Sequence, residues 1–246
     1  MEQQRVAVVT GGSRGIGAAV VGRLVDAGFA VCAAWSGDEA AADALAARHR
    51  DSGRVRTVRA DVTDPDAVEE LFDAAESLGR VTALVNNAGV TGRIGPFADL
   101  DLADLRRVLD VNLAAPVIAC RAAVRRWQAD PAGRSIVNVS SVAARLGAPG
   151  EYVPYAAAKA GVETLTVGLA KELGPVGIRV NAVAPGTTDT RIHALAGEPG
   201  RPARVAGTVP LRRVARPDEV AAVVVWLLSD EASYVSGAVV PVAGGL

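Results

Sequence analysis

The stretch Gly150-Glu-Tyr-Val-Pro-Tyr-Ala-Ala-Ala-Lys-Ala-Gly161 carries two tyrosines three residues apart and one lysine. A phenol with an ordinary pKa of ~10 is a sluggish proton carrier at neutral pH. An ammonium held beside it stabilises the phenolate, and so does the positive end of a helix. Lowering the pKa by ~2–3 units takes about 3–4 kcal/mol, which one close ammonium in a semi-dry site can largely supply. Proline is tolerated in the first turn of a helix but not in its interior, so Pro154 predicts where a helix starts. Tyr155 then falls in the first turn, and Lys159, four residues on, shares its face. Tyr152 precedes the helix. At this spacing alone, ordinary amphipathic packing explains the pair equally well, so the rest of the chain has to decide.

Short β-branched runs alternate with Ala/Leu-rich stretches of helical period. The runs are 5–9, 30–35, 55–60, 81–86, 135–140, 178–184 and 238–243, and the helical stretches are 15–27, 38–50, 65–78, 101–128, 155–174 and 217–229. Near-continuous apolar strands separated by helices predict an α/β fold with a parallel sheet covered on both faces. No repeat or linker-like shift divides the chain, so residues 1–246 read as one domain. Thr187 to Arg216 breaks the alternation and is expected to be a structureless substrate-binding lid.

In such a sheet, ligands bind beyond the carboxyl ends of the strands. Strand one is followed by Thr10-Gly-Gly-Ser-Arg-Gly-Ile-Gly17, whose glycines allow close approach to a pyrophosphate at a helix N-terminus. The third strand ends at Asp61-Val62, the fourth at Asn86-Asn-Ala-Gly89, the fifth at Ser140-Ser141 and the sixth at Pro185-Gly186. Each piece alone is ordinary turn chemistry. Together with Asn112 in VLDVN and the YAAAK run, they resemble, in order and over essentially the whole chain, the short-chain dehydrogenase/reductase family. Within it the chain is similar to the bacterial group of 3-oxoacyl-carrier-protein reductases and ketoreductases.

That resemblance implies a single-domain Rossmann fold with a doubly wound seven-stranded parallel sheet, a nicotinamide dinucleotide and a homotetramer or homodimer. It makes Tyr155 the proton donor to a carbonyl and Lys159 both its pKa-lowering neighbour and a ligand of the cofactor ribose. A serine hydroxyl polarises the carbonyl, and Asn112 holds a water linking Lys159 to solvent. Ser141 stands one residue further from Tyr155 than the family's usual spacing and Ser140 two, so Ser141 is the expected hydroxyl with Ser140 as the alternative. Cofactor contacts are expected from Gly11, Ser13, Arg14, Gly15, Ile16, Gly17, Ser36, Asp61, Val62, Asn87, Ala88, Gly89, Tyr155, Lys159, Pro185, Gly186, Thr188 and Thr190. Tyr152 becomes a wall of the substrate pocket or a packed loop residue.

NAD-preferring enzymes of this architecture usually place an acid at the end of strand two. Here Trp35, Ser36 and Gly37 stand there, and Arg14 is placed to pair with a 2′-phosphate, which predicts NADP(H) over NAD. Asp38 and Glu39 follow closely and are near enough to reach back.

With 26 basic and 27 acidic residues the chain offers no bulk attraction for nucleic acid or an anionic membrane. Cys32 and Cys120 lie in apolar runs and read as small buried hydrophobes rather than a disulfide or metal pair, and no metal site is expected. No export signal or spanning segment is legible, which predicts a cytoplasmic protein. Six arginines against one acid between Arg191 and Arg216 suit either an anionic acyl-carrier substrate or a solvated surface. Phe97, Tyr152, Trp35 and Trp226 are candidate pocket aromatics. The function expected is hydride transfer between NADPH and a small ketone or secondary alcohol. Reduction of a 3-oxoacyl-carrier-protein, imine or quinone reduction, or a catalytically silent dinucleotide-binding sensor or structural role, are the alternatives.

Overall fold

The runs RVAVV and AVCAAW form β1 (Arg5–Val9) and β2 (Ala30–Trp35), which pair in parallel with Val6 beside Ala30 and Val9 beside Ala33. The computed structural model describes residues 3–246; Met1 and Glu2, within the single-domain span read above, lie outside it. Five further parallel strands follow: β3 (Val55–Arg59), β4 (Arg80–Asn86), β5 (Arg134–Val139), β6 (Ile178–Pro185) and β7 (Val239–Val242). The sheet order is β3-β2-β1-β4-β5-β6-β7. The chain therefore reverses direction across the sheet between β1 and β4, which opens a crevice at their carboxyl ends.

Alternation along each strand serves both faces. Val6 and Val8 pack with α3 (Pro65–Glu76) and α5 (Ala115–Trp127) through Val68, Leu71, Phe72, Ala119 and Trp127. Ala7 and Val9 pack with α1 (Gly15–Asp26) and α10 (Pro217–Leu228) through Val20, Leu24, Val224 and Leu227. Each such side chain contributes roughly 1.5–3 kcal/mol on burial. Cys32 and Cys120 are free and sit inside the first of these cores. Burial pushes their thiols up to about 11 and about 12, so neither is a reactive thiolate. No helix among the described residues is long and apolar enough to cross a membrane. Nor is there, among those residues, a cluster of three metal-ligating side chains.

Two expectations about helices are corrected. The stretch 101–128 is not one helix: α4 (Leu102–Leu109) passes through a wide π-type turn at Asp110–Ala114 into α5. Pro116 cannot donate to the Asn112 carbonyl four residues back, and the Ala115 amide reaches Asp110 instead, so the turn widens by one residue. The lid is also not structureless. It holds two short helices, α8 (Ile192–Leu195) and α9 (Arg201–Ala206). Its ends are clasped by a parallel bridge between Thr188 and Ala215, with Ala215 N donating to Thr187 O at 3.0 Å and Asp189 N to Ala215 O at 2.9 Å.

The helix that carries Tyr155 and Lys159, α7 (Val153–Leu173), starts one residue before Pro154, with Tyr152 at its N-cap position. The short α6 (Ala143–Leu146) precedes it, and α2 (Glu39–Arg48) follows β2, capped by Asp38, whose carboxylate accepts from Ala41 N.

Candidate active site

The Gly-rich loop is braced from β4. Thr10 Oγ1 accepts the amides of Asn87 at 3.0 Å and Ala88 at 3.1 Å. Asn87 Nδ2 in turn donates to the carbonyls of Thr10 at 3.0 Å and Gly11 at 2.9 Å. Asn87 thus supports the loop with its side chain rather than facing outward with it, and Thr10, absent from the sequence-derived residues, is its partner. Gly11 takes φ +61°, and a Cβ there would come within 2.9 Å of Ala88 Cα. Gly15 takes φ +54° and lies under Thr190, whose Cγ2 would be 3.2 Å from an added Cβ. The two glycines leave a cradle that a side chain would fill. Helix α1 opens on this cradle with no side-chain cap at Arg14, so its first-turn amides are available to an anion. Ser13 and Ile16 are half-buried in the same turn, and Gly17 is buried against Gly11 O. These residues fit a dinucleotide pyrophosphate.

At the end of β2, Ser36 is exposed and Asp38 does reach back. Its carboxylate lies 3.7 Å from Arg14 Nη1 and accepts from Arg191 Nη1 at 2.9 Å. The Ala41 amide and then these guanidiniums hold it below the usual carboxylate range. Asp61 accepts from Thr63 N and Oγ1 at 3.0 and 2.7 Å, beside buried Val62. Past β6, Pro185 is buried and Thr188 Oγ1 donates to Gly186 O at 3.1 Å.

Ser141, Tyr155 and Lys159 come together at the end of β5. Tyr155 is 9% exposed, and the Ser141 side chain is close enough to act on its phenol; Ser141 Oγ itself accepts from Ala143 N at 3.1 Å. Ser140 points elsewhere: its Oγ donates to Glu163 Oε1 at 3.0 Å and to Lys159 O at 3.3 Å. Lys159 is buried, its Nζ donating to Val139 O at 2.8 Å and standing 5.6 Å from the Tyr155 ring centroid. The expected lowering of the phenol is not what this arrangement produces. Burial pushes Tyr155 up to about 12, against a smaller lowering influence of the Ser141 side chain, and pushes the Lys159 ammonium down to about 8.

Asn112 is fully buried in the widened turn. Its Nδ2 donates to Val90 O at 2.7 Å and Val108 O at 2.8 Å, and its Oδ1 accepts from Val90 N at 3.2 Å. Gly89 lies between Asn112 and Lys159, since an added Cβ would be 2.9 Å from Asn112 Oδ1 and 3.6 Å from Lys159 Nζ.

Among the four candidate aromatics, Tyr152 stacks edge-on against Tyr155, with ring centroids 5.4 Å apart. Trp35 lies under the Arg59 guanidinium, Trp226 is on α10, and Phe97 is exposed. The lid arginines are largely neutralised within the chain. Arg191 pairs with Asp38, Arg201 and Arg204 with Glu198 and Glu151, and Arg213 and Arg216 with Glu219, while Arg212 donates to Gly207 O.

Residues 11–246 match the family model described as enoyl-(acyl carrier protein) reductase. The chain is 45% identical over 251 aligned positions to cis-4-hydroxycyclohexanecarboxylate dehydrogenase of Sinomonas cyclohexanicum, covering 98% of this chain and 96% of that protein. It is 39% identical to 3beta-hydroxysteroid dehydrogenase 1 of Eggerthella lenta, over 98% of this chain and 93% of that one. A short chain dehydrogenase from Burkholderia cenocepacia J2315, solved in complex with NADP, superposes with a TM-score of 0.88 at 35% identity, over 97% and 96% of the two chains. The whole-chain superposition shows that the fold is shared with that dehydrogenase. The chain belongs to the short-chain dehydrogenase/reductase family, oxidoreductases acting on hydroxyl and carbonyl groups.

Proposed function

We propose that the protein is an NADPH-dependent reductase of a ring ketone, and the dehydrogenase of the matching secondary alcohol, with Tyr155 as acid/base. The observation that carries this reading is the buried Tyr155 with the Lys159 ammonium 5.6 Å from its ring centroid and the Ser141 side chain near its phenol. NADPH, when bound, supplies the hydride and its two electrons to the carbonyl carbon. Tyr155 passes its phenolic proton to the carbonyl oxygen, and Ser141 donates a neutral hydrogen bond to that oxygen as charge develops. A phenol pushed up to about 12 carries its proton near neutrality, the form that reduction requires, and its release to the carbonyl depends on the Lys159 cation. The Lys159 cation stabilises the phenolate left behind and holds the cofactor ribose.

Arg14, with Ser36, recognises the 2′-phosphate, and the NADP-bound relative from Burkholderia supports that preference. Asp61 and Val62 would hold the adenine end, and Ala88, Gly89, Pro185, Gly186, Thr188 and Thr190 would hold the nicotinamide end. The Asn112 amide already has protein partners, so we assign that residue to building the turn under Lys159 rather than to gripping a water through its side chain. A ring ketone is favoured because both relatives above are named for alicyclic alcohols. The neutralised lid arginines give no support to an acyl group on a phosphorylated carrier. We infer that the exposed apolar positions Val117 on α5 and Val167 on α7 join copies into a homodimer or homotetramer, which light scattering would size.

The test is NADPH consumption against 4-oxocyclohexanecarboxylate, a 3-keto steroid and an acetoacetyl thioester, with Tyr155→Phe alongside. Turnover of a cyclic ketone that falls about 10²–10⁴-fold in the variant is expected. Undiminished turnover in Tyr155→Phe would remove the mechanism, and turnover of the thioester alone would remove the substrate class.

A further inference from the structure

We propose that Arg201, in the lid helix α9, is a positioning residue that sets substrate specificity by fixing Tyr152 as a rigid wall beside Tyr155. The inference rests on the reading of Tyr155 as the reacting phenol. Arg201 is 7% exposed although it belongs to a surface lid. Its Nη1 and Nη2 each donate to a Glu151 carboxylate oxygen at 2.6 Å. Nη2 also donates to Tyr152 Oη at 2.8 Å, and the guanidinium lies 5.1 Å from the Tyr152 ring centroid. Nη1 is 3.4 Å from Glu198 Oε2. A buried guanidinium is costly unless its donors are matched; here Nη1 and Nη2 are and Nε is not, and the bidentate form is specific to arginine.

The network reaches the chemistry in one step. Tyr152 meets Tyr155 at an interplanar angle of 88°, so its ring edge and face are set by a hydroxyl held from the lid. Glu151 is held in place from a third side, its carbonyl accepting from Gly95 N at 3.0 Å in the loop after β4. The turn that aims Glu151 at the lid passes through Ala148, which takes φ +48° and whose carbonyl accepts the amides of Glu151 at 3.2 Å and Tyr152 at 3.3 Å. Left-handed backbone at a residue with a Cβ is strained and persists where its surroundings dictate it. Lid closure and alignment of the pocket wall are thus one event, because opening α9 breaks the same fork that orients Tyr152. A bulky ring ketone beside Tyr155 meets that wall, whereas a small acyclic ketone does not.

The test compares wild type with Arg201→Gln, Arg201→Lys, Tyr152→Phe and Tyr155→Phe as full chains. Hydrogen exchange is expected to speed up at residues 151–155 and 201–206 in Arg201→Gln, with residues 10–17 unchanged. That readout needs no substrate. The ratio of kcat/KM for cyclohexanone to that for 2-butanone is expected to fall about ten-fold, through KM, a difference of ~1.4 kcal/mol. Arg201→Lys keeps the charge but not the fork and restores part of the ratio; Tyr152→Phe shifts it in the same direction with the fold intact. Unchanged exchange at 151–155 overturns the proposal, as does an equal loss on both ketones through kcat. If Arg201→Gln does not fold, an unchanged ratio in Tyr152→Phe overturns it. Full activity in Tyr155→Phe instead strikes the reading of the reacting phenol, independently of the Arg201 arms.

Discussion

Lys159 faces the Tyr155 ring from 5.6 Å while its ammonium is tethered to the Val139 carbonyl at 2.8 Å. The cation is thereby held by the sheet, beside the phenol it is proposed to serve. Burial acts on the two in opposite directions, holding a proton on Tyr155 and loosening one from Lys159.

That opposition has a kinetic signature. In reduction, kcat/KM is expected to be nearly flat through neutrality and to fall as Lys159 loses its proton above about 8. In oxidation the same enzyme is expected to speed up with pH, because the phenolate is the required form. Profiles measured in both directions check this; parallel profiles would contradict it.

It also has a signature in stability. The Lys159 pKa of about 8 lies below its ordinary value, so the unfolded chain binds more protons between the two. Stability contributed by this group therefore rises with pH across that window and is lowest below it. Lys159→Met is expected to abolish turnover yet raise Tm at pH 7, by about 2–4 °C for each kcal/mol recovered. Thermal melts across the window are expected to lose the corresponding slope. A lower Tm in the variant at every pH would refute the argument.

Asp38 occupies both guanidiniums at the end of β2. Asp38→Asn keeps an acceptor for the Ala41 amide but removes the charge, and is expected to tighten NADPH while leaving NADH nearly unchanged. Arg14→Ala is expected to do the reverse, weakening NADPH by roughly ten-fold or more, as loss of a charge-assisted hydrogen bond implies. Fluorescence titrations with the two nucleotides measure both, and tighter NADH binding by the unaltered protein would overturn the assignment.

Asn87→Ala acts differently because it removes the brace and not a phosphate contact. Two carbonyls, of Thr10 and Gly11, lose their donor at a cost of about 1–3 kcal/mol. Both nucleotides are expected to weaken by similar factors, with a lower Tm. Selective loss of one nucleotide would show that Asn87 contacts the ligand directly.

The strand spans were readable to within a residue; the buried inner strands β1, β2, β4 and β6 leave near-continuous apolar runs, and the half-buried edge strands β3 and β7 keep a β-branched bias. The start of α7 was readable to one residue from Pro154, by the restriction proline places on its own φ. Another proline was available and unused: Pro116 foretells the widened turn that buries Asn112. Arg201 was counted only as one of several lid charges. Its burial depends on Glu151, fifty residues earlier, and pairing across that distance leaves no periodic trace in a sequence. The choice between Ser140 and Ser141 had the same limit. Glu163, one helical turn beyond Lys159, is what draws the Ser140 hydroxyl away.

The lid leaves the fold and returns to it through one rung, Thr188 beside Ala215. Closing a loop costs conformational entropy that grows only slowly with its length. The chain between those residues is therefore an exchangeable cassette. Its length is free to vary while β6 and α10 keep their places, so new substrate ranges arise on this scaffold by exchanging that insert together with the body residues it grips, Glu151 and Tyr152 for Arg201 and Asp38 for Arg191.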